Sequence, residues 1–524
     1  MSYTGGPAES AGAAPGGRSL SLARAAGVLY EAGLLREVVT SQGWFVAPDH
    51  LPALEMSSLT YDTRRLTPGA LLVVKGKFKE EFLGPACDRG MVAYVAERDY
   101  GAVTQCPGLV VDNALEAMSL LAAELYGHPE RELTIVGVTG TKGKTTTAHL
   151  VHAVLSEVTD GRTAMFSSNH LCLDGRTFTP AVLTTPESAD SLRMMRQAVD
   201  AGMTHLVMEV SSQAYKLRRV HGLTFDVGVF LNIGQDHISP VEHPTFEDYF
   251  YCKRQLVRHS RTLVLNADSD YQDLLVEEAQ QAGASVLTVS RTTGDLVLGQ
   301  EGEGFTLRYQ GQDVAGSEEE AMRLRLAGAF NQDNAAAAVA VVLALGTPAQ
   351  DRALRAVEQV QVSGRMERLT SDDGIVGYVD FAHNHLSTTL LLDEVERVYG
   401  RDNPRIILVS GSTGGKAVNR RQGIVTAANG RVDSFIFTED DQDRESATQI
   451  ARQMRGYVTD SEASTQIVVP RAKAIEAAVT QARQHPGRRN VILVIGKGDE
   501  VRNIVNGVKQ PYEGDAAVLR RLLG

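Results

Sequence analysis

Thr139-Gly-Thr-Lys-Gly-Lys-Thr-Thr146 follows the apolar run Leu133-Thr-Ile-Val-Gly-Val138 and leads into a stretch with helical spacing. A strand that turns through glycines into a helix has the design of a phosphate-binding loop. Its glycines let backbone N–H groups approach phosphate oxygens, and the helix N-terminus adds partial positive charge. Gly140, Thr141, Lys142, Gly143, Lys144, Thr145 and Thr146 are therefore candidate nucleotide-binding residues. Lys144 is spaced to reach the β- and γ-phosphates and Thr145 to ligate Mg2+. Val138, not glycine, stands five residues before Gly143, so the strict GxxxxGK[ST] form is not kept.

Outward from that loop, apolar strands alternate with helical patterns along the chain, which predicts an α/β fold built mainly on parallel sheets. Residues 205–210 and 226–233 read as further buried strands, 286–327 as a β-rich insert and 331–345 as a helix. Glu209 lies at the end of the first strand, where a carboxylate can hold Mg2+, and His237 follows the second as a potential imidazole ligand. Farther on, four apolar runs end in polar loops that carry Asp380 and His383, Lys416, Asp440 and Asp443, and Gly496 and Glu500. Ligands of an open parallel sheet bind outside the carboxyl ends of its strands, so these loops are expected to converge on one crevice. Taken alone, Thr438-Glu-Asp-Asp-Gln-Asp-Arg-Glu-Ser446 reads as a solvated charge run. Its place at a strand end makes it a candidate site.

The 524 residues exceed what one hydrophobic core serves and suggest about three domains. Turn-like Gly127-His-Pro-Glu130 and hinge-like Val362-Ser-Gly-Arg365 divide them into units at 19–129, 130–362 and 363–524, after a Gly/Ala/Pro/Ser-rich tail at 1–18 that is expected to be disordered. A formal net charge of −12 argues against general nucleic-acid binding. No apolar run reaches the roughly 18 residues of a membrane span, and the N-terminus lacks a secretory pattern, so a soluble cytoplasmic protein is expected. Cys87, Cys106, Cys172 and Cys252 form no CxxC pair and read as reduced thiols.

TGTKGKTT, TTPES from Thr184, MEVSSQAY from Met208, DVGVFLNIGQDHI from Asp226, HPTFEDYFYCKR from His243, AGAFNQDN from Ala327, SGRMERL from Ser363, DFAHN from Asp380 and GKGDE from Gly496 occur in that order. In this the chain resembles the Mur ligases, most closely the MurE type that adds the third amino acid to UDP-MurNAc-L-Ala-D-Glu. The resemblance implies an N-terminal UDP-binding domain, a central ATPase domain and a C-terminal Rossmann-like domain that brings the amino acid. It assigns Thr63, Arg64, Lys75 and Gly76 to the UDP end and Thr184, Thr185, Ser211 and Arg219 to the muramoyl-dipeptide. Asn331, Asn334, Arg365, Asp380 and His383 match positions that contact ATP. Lys253 matches a carbamylated lysine that joins Thr145, Glu209 and His237 around Mg2+. The implied chemistry activates the D-Glu carboxylate with the γ-phosphate of ATP, and an amine attacks the acyl phosphate. Such an enzyme is expected to be a monomer without nucleic-acid or membrane partners.

Relatives that add meso-diaminopimelate carry DNPR in the loop aligned with Asp440-Asp-Gln-Asp443, and their arginine meets the distal carboxylate. Asp443 stands where that arginine would, and a distal carboxylate facing it would be repelled. Asp440, Asp443 and Glu500, with Gly496, thus read as an anionic pocket for a terminal amine, and Lys416 as the partner of the α-carboxylate. Asp402-Asn-Pro-Arg405 precedes a strand and reads as a coincidental turn. KGKFKEEF from Lys75 adds to a likeness to lysine-adding enzymes of Gram-positive bacteria. Ornithine and meso-diaminopimelate are the alternative substrates. A folylpolyglutamate-synthase-like ligase and a non-catalytic nucleotide-binding scaffold are the rival functions.

Overall fold

The computed structural model describes residues 17–48, 51–239, 242–415 and 417–524. Lys416 and residues 1–16 of the expected tail lie outside them. The α/β architecture is as predicted, with three main sheets along the chain.

The first sheet runs in the order Gly43–Phe45, Leu35–Thr40, Gly108–Val111, Met91–Ala96, Ala70–Val73 and Ser58–Thr60, and the last four of these strands are parallel. Helix Ala114–Tyr126 follows it, capped by the Asn113 side chain and stopped by Gly127 in the left-handed conformation. Its apolar face continues into the next unit, because one buried cluster joins Leu29, Val73 and Leu121 to Leu192, Leu206 and Phe225.

The second sheet has 11 strands centred on Thr134–Thr139, which lies between the parallel strands His205–Glu209 and Phe225–Phe230. Being covered on both sides, these central strands are buried along nearly their whole length and carry apolar runs in their middles rather than an alternating pattern. The predicted β-rich insert is an extension of this sheet: Leu296–Glu301, Gly304–Tyr309 and Gln312–Asp313 add to its edge as an antiparallel meander. Helix Ala329–Ala344 is almost wholly buried, since its alanine and valine faces pack on helix Lys144–Val158 and on the sheet.

The third sheet runs Glu367–Thr370, Val376–Asp380, Asn490–Ile495, Arg405–Ser410, Ser434–Phe437 and Ser464–Ile467, parallel except for its first strand. Four of its strands end in the loops singled out from the sequence. Asp402 and Asn403 lie in a short turn before Arg405–Ser410, as expected.

The cysteines differ from expectation. Cys87 and Cys106 are joined as a disulfide with a Cα–Cα distance of 6.6 Å, whereas Cys172 and Cys252 are free and buried. The turn after Gly84–Ala86 and the loop before Gly108–Val111 bring the pair together across 19 residues, a closure that depends on sheet order and leaves no local spacing signal. Among the described residues no helix is long and apolar enough to cross a membrane.

Candidate active site

The loop between strand Thr134–Thr139 and helix Lys144–Val158 turns at Gly140 and Gly143, with φ of 156° and 88°. At Gly143 a Cβ would come within 2.5 Å of Asn334 Oδ1, so the close approach of helix Ala329–Ala344 also requires glycine there. Lys144 Nζ folds back on its loop, donating to the carbonyls of Gly140 at 2.9 Å and Thr141 at 3.3 Å, and burial lowers its pKa. The Thr141 hydroxyl lies 3.0 Å from Tyr249 Oη. Thr145 and Thr146 are buried at the helix start. Asn331 and Asn334, also buried, are joined at 3.0 Å. Asn334 and Gly143 border a small cavity of about 100 Å³.

A larger cavity of about 380 Å³ opens beside the loop. Thr145, Thr184, Glu209 and His237 line its central-sheet side. Glu209 is fully buried and accepts from Ser168 N at 2.6 Å and Ser168 Oγ at 3.0 Å. His237 adopts φ 58°, lies 2.9 Å through Nδ1 from Glu242, and stacks near Tyr249. Lys253, on helix Phe246–Arg258, is buried and donates to the Gly140 carbonyl at 2.7 Å. Burial and the neighbouring Lys144 ammonium hold its pKa far below the ordinary lysine value.

The residues assigned to the UDP-linked dipeptide are spread along a path toward the first sheet. Thr184 accepts from Ser168 Oγ at 3.0 Å, and the Thr185 hydroxyl accepts from Ser211 N at 3.1 Å. Glu187 receives Lys75 Nζ at 2.6 Å and Arg219 Nη2 at 3.0 Å, so one carboxylate ties the first unit to the second. Gly76 follows with φ 65°. Thr63 and Arg64 lie in a short turn, where Arg64 is largely exposed and paired with Asp62.

The third sheet supplies the opposite wall. Arg365 stacks over the Phe381 ring at 4.4 Å, and Asp380 accepts from the Met366 and Ala382 amides, each at 2.7 Å. Burial raises the Asp380 pKa against the opposing field of Arg365. His383 contacts the Phe381 carbonyl at 2.6 Å, and burial together with Lys142 and Arg420 keeps it neutral, well below the usual imidazole range.

Asp440, Asp441, Gly496 and Glu500 face the cavity as well. Asp440, Asp441 and Glu500 surround the fully buried Lys497, whose Nζ lies 3.5, 2.9 and 3.0 Å from them in turn. Asp443 does not join them. Its N–H bonds to the Ile504 carbonyl at 3.0 Å in a left-handed turn, and its carboxylate lies against Gly415 and Gly507. The loop therefore presents Asp440 and Asp441 to the cavity, with Asp443 turned off that wall. Arg471 fixes this geometry from below, donating to the carbonyls of Glu439 at 3.2 Å and Ile495 at 2.7 Å while paired with Asp515.

Comparison with known proteins agrees with this layout. The family profile described as the Mur ligase middle domain matches residues 138–342, and the one described as the Mur ligase glutamate ligase domain matches residues 364–509. The chain belongs to the Mur ligase family. This Mur ligase is 46% identical over 520 residues to the UDP-N-acetylmuramyl-tripeptide synthetase of Bifidobacterium longum, covering 97% of this chain and 100% of that one. It is 39% identical to the UDP-N-acetylmuramoyl-L-alanyl-D-glutamate--L-lysine ligase of Enterococcus faecalis, covering 93% and 95%. In fold it is similar to a UDP-N-acetylmuramoyl-L-alanyl-D-glutamate--2,6-diaminopimelate ligase, with a TM-score of 0.59, 22% identity and coverage of 91% and 97%. It is also similar to a folylpolyglutamate synthase of Mycobacterium tuberculosis, with a TM-score of 0.58 and 19% identity, covering 73% of this Mur ligase and 92% of that chain.

Sequence reasoning missed Asp236, Asn384, Arg420, Asp441 and Lys497. The Asp236 carboxylate receives Lys142 Nζ at 3.3 Å, Arg420 Nη2 at 3.2 Å and Asn384 Nδ2 at 2.9 Å, joining the phosphate loop to the third unit. Burial alone would raise its pKa, but Lys142 and Arg420 outweigh burial and hold it far below the carboxylate range. A signal was present for four of them, because Asp236 precedes His237, Asn384 follows His383, Asp441 follows Asp440 and Lys497 lies inside GKGDE.

Proposed function

We propose that this Mur ligase adds L-lysine to the D-Glu carboxylate of UDP-MurNAc-L-Ala-D-Glu, with ATP cleaved to ADP and phosphate by way of an acyl phosphate. The single observation that carries the choice of amino acid is the ring of Asp440, Asp441 and Glu500 around an ammonium, that of Lys497. Three carboxylates against one resident cation leave negative charge facing the cavity. That charge attracts the terminal ammonium of a diamino acid and repels a distal carboxylate. The names of the Enterococcus and Streptococcus relatives support the same choice. Ornithine, one methylene shorter, differs by only about 1–3 kcal/mol of apolar contact.

In this reading the units at 19–129, 130–362 and 363–524 take the UDP end, the nucleotide and the amino acid. The loop amides and Lys144 hold the phosphates, and Arg365 balances charge as the phosphoryl group moves. The carboxylate oxygen attacks the γ-phosphorus while the bond to the β–γ bridging oxygen breaks, and the amine then displaces phosphate from the acyl carbon. Thr145, Glu209 and His237 share the cavity, and the hydrogen-bond partners of Glu209 are the Ser168 amide and hydroxyl rather than a cation. This donor set fits a hard divalent ion, and Lys253 would join it only as a carbamate. Bound Mg2+ would supply charge neutralisation at the phosphates. We assign the enzyme to the cytoplasm, where ATP is at hand, as a monomer.

Phosphate release by the purified chain with UDP-MurNAc-L-Ala-D-Glu and, in separate reactions, L-lysine, L-ornithine and meso-diaminopimelate tests the proposal. Fastest turnover with L-lysine is the expected result. Preference for diaminopimelate would overturn the anionic-pocket argument, and no turnover with any of the three in bicarbonate buffer would favour a scaffold.

A further inference from the structure

The nucleotide reading leaves one cation of the cavity without a role. Arg420 sits on helix Asn419–Ala428 of the third unit, and its side chain, 13% exposed, forms part of the cavity wall across from the phosphate loop. Its Nη2 donates to Asp236 Oδ1 at 3.2 Å, while Oδ2 of the same carboxylate takes Lys142 Nζ at 3.3 Å and Asn384 Nδ2 at 2.9 Å. Its Nε is buried and finds no acceptor. A guanidinium that keeps one donor buried and unsatisfied is short of an acceptor. One carboxylate shared by two cations also leaves the group with unbalanced positive charge, and the adjacent His383 is neutral. Both observations point to an anion that arrives with the substrates.

We propose that Arg420 contacts the terminal phosphate of the bound nucleotide, and that Asp236 holds Arg420 and Lys142 in position until that phosphate is present. The inference rests on the nucleotide-binding reading given above. The loop amides and the start of helix Lys144–Val158 cradle the inner phosphates, so the group that extends away from the loop toward the third unit is the terminal one. Arg420 reaches the cavity from that unit. A planar guanidinium can bind two oxygens of the phosphoryl group at once, and it keeps them as the group passes from the bridging oxygen of ADP to the carboxylate. No proton leaves Arg420 in this step. Its contribution is charge and orientation.

The test compares two nucleotides on one protein. Calorimetric titration of the full chain with ADP and with the non-hydrolysable imido analogue of ATP, both with Mg2+, is carried out for the unaltered protein, Arg420→Met and Arg420→Lys. The expected result is that Arg420→Met lowers affinity for the imido analogue by about 30-fold, as for loss of a hydrogen bond to a charged group, and leaves ADP within about threefold. Arg420→Lys should recover part of the loss. Equal losses for both nucleotides would make Arg420 a structural clasp only, and no loss for either would remove it from the phosphate site; each overturns the inference while sparing the nucleotide reading. Failure of the unaltered protein to bind either nucleotide would overturn both. A partly misfolded variant lowers the stoichiometry and not the ratio of affinities, so the comparison survives imperfect folding.

Discussion

Lys497 and Lys253 are both buried amines, and their surroundings drive them in opposite directions. Burial alone would lower the Lys497 pKa, but Asp440, Glu500 and Asp441 reverse that and keep it an ammonium. Among the described residues Lys253 has no carboxylate within hydrogen-bond distance, only the Gly140 carbonyl, and burial with the neighbouring Lys144 pulls its pKa well down, which favours the uncharged amine. A neutral amine is the form that adds CO2, so ligation in CO2-depleted buffer should fall and bicarbonate should restore it. Lys253→Arg should lose at least about 100-fold in rate, on the scale of losing a main electrostatic contributor. Equal phosphate release with and without bicarbonate would exclude the carbamate. At the opposite end of the cavity, Glu500→Gln removes one of three carboxylates around Lys497. The KM for L-lysine should rise about 30-fold, equivalent to about 2 kcal/mol, while the KM for ATP stays put. The phosphate loop was legible because glycine and lysine at fixed spacing are demanded by backbone geometry. GKGDE marked the loop of Lys497 but not its role, since a lysine in a strand-end loop reads the same whether it meets a ligand or a neighbour. The place of Asp443 off the cavity wall was not legible, because a single left-handed residue decides which carboxylates of a run face inward, and sequence does not display that rotation.

Among the elements, helix Lys144–Val158 carries two kinds of residue that respond differently to acid. Its start holds the phosphate loop, and its middle holds His152, buried with Nε2 3.1 Å from the Thr163 carbonyl. Burial pushes the His152 imidazole from 6.5 down to about 4, with the Thr163 contact opposing. The unfolded chain therefore takes up this proton first. Stability from the group is intact above pH 6.5 and is lost as pH falls from 6.5 toward 4, by up to about 3 kcal/mol. Thermal midpoints measured between pH 7 and pH 4.5 should fall accordingly, and His152→Asn should flatten part of that fall; an unchanged slope would show that His152 is not responsible. Element types were largely readable from local periodicity. The insert shows the limit: its strands were predicted, but their union with the edge of the central sheet depends on pairing between residues far apart in sequence.

For the whole molecule, the two seams between units have different chemistry. The first and second units share the apolar cluster that joins Leu121 to Leu192, and this fixes them as one body. The second and third meet mainly through polar groups around Asp236, with Ala327 and Phe330 as the apolar part. Motion is therefore expected at the second seam, where ATP and the UDP-linked substrate would favour the closed form and exclude water. Small-angle scattering should show a smaller radius of gyration with both ligands, and equal compactness with and without them would count against closure.

The central sheet ends on one rim in the three-residue strand Phe178–Pro180 and on the other in the two-residue strand Gln312–Asp313. Proline has no N–H to offer, and two residues present too few free peptide groups to template another strand. The largest sheet of this enzyme thus carries its own protection against end-to-end polymerisation. Lengthening either rim with apolar, β-branched residues would turn a harmless border into a seed for filaments.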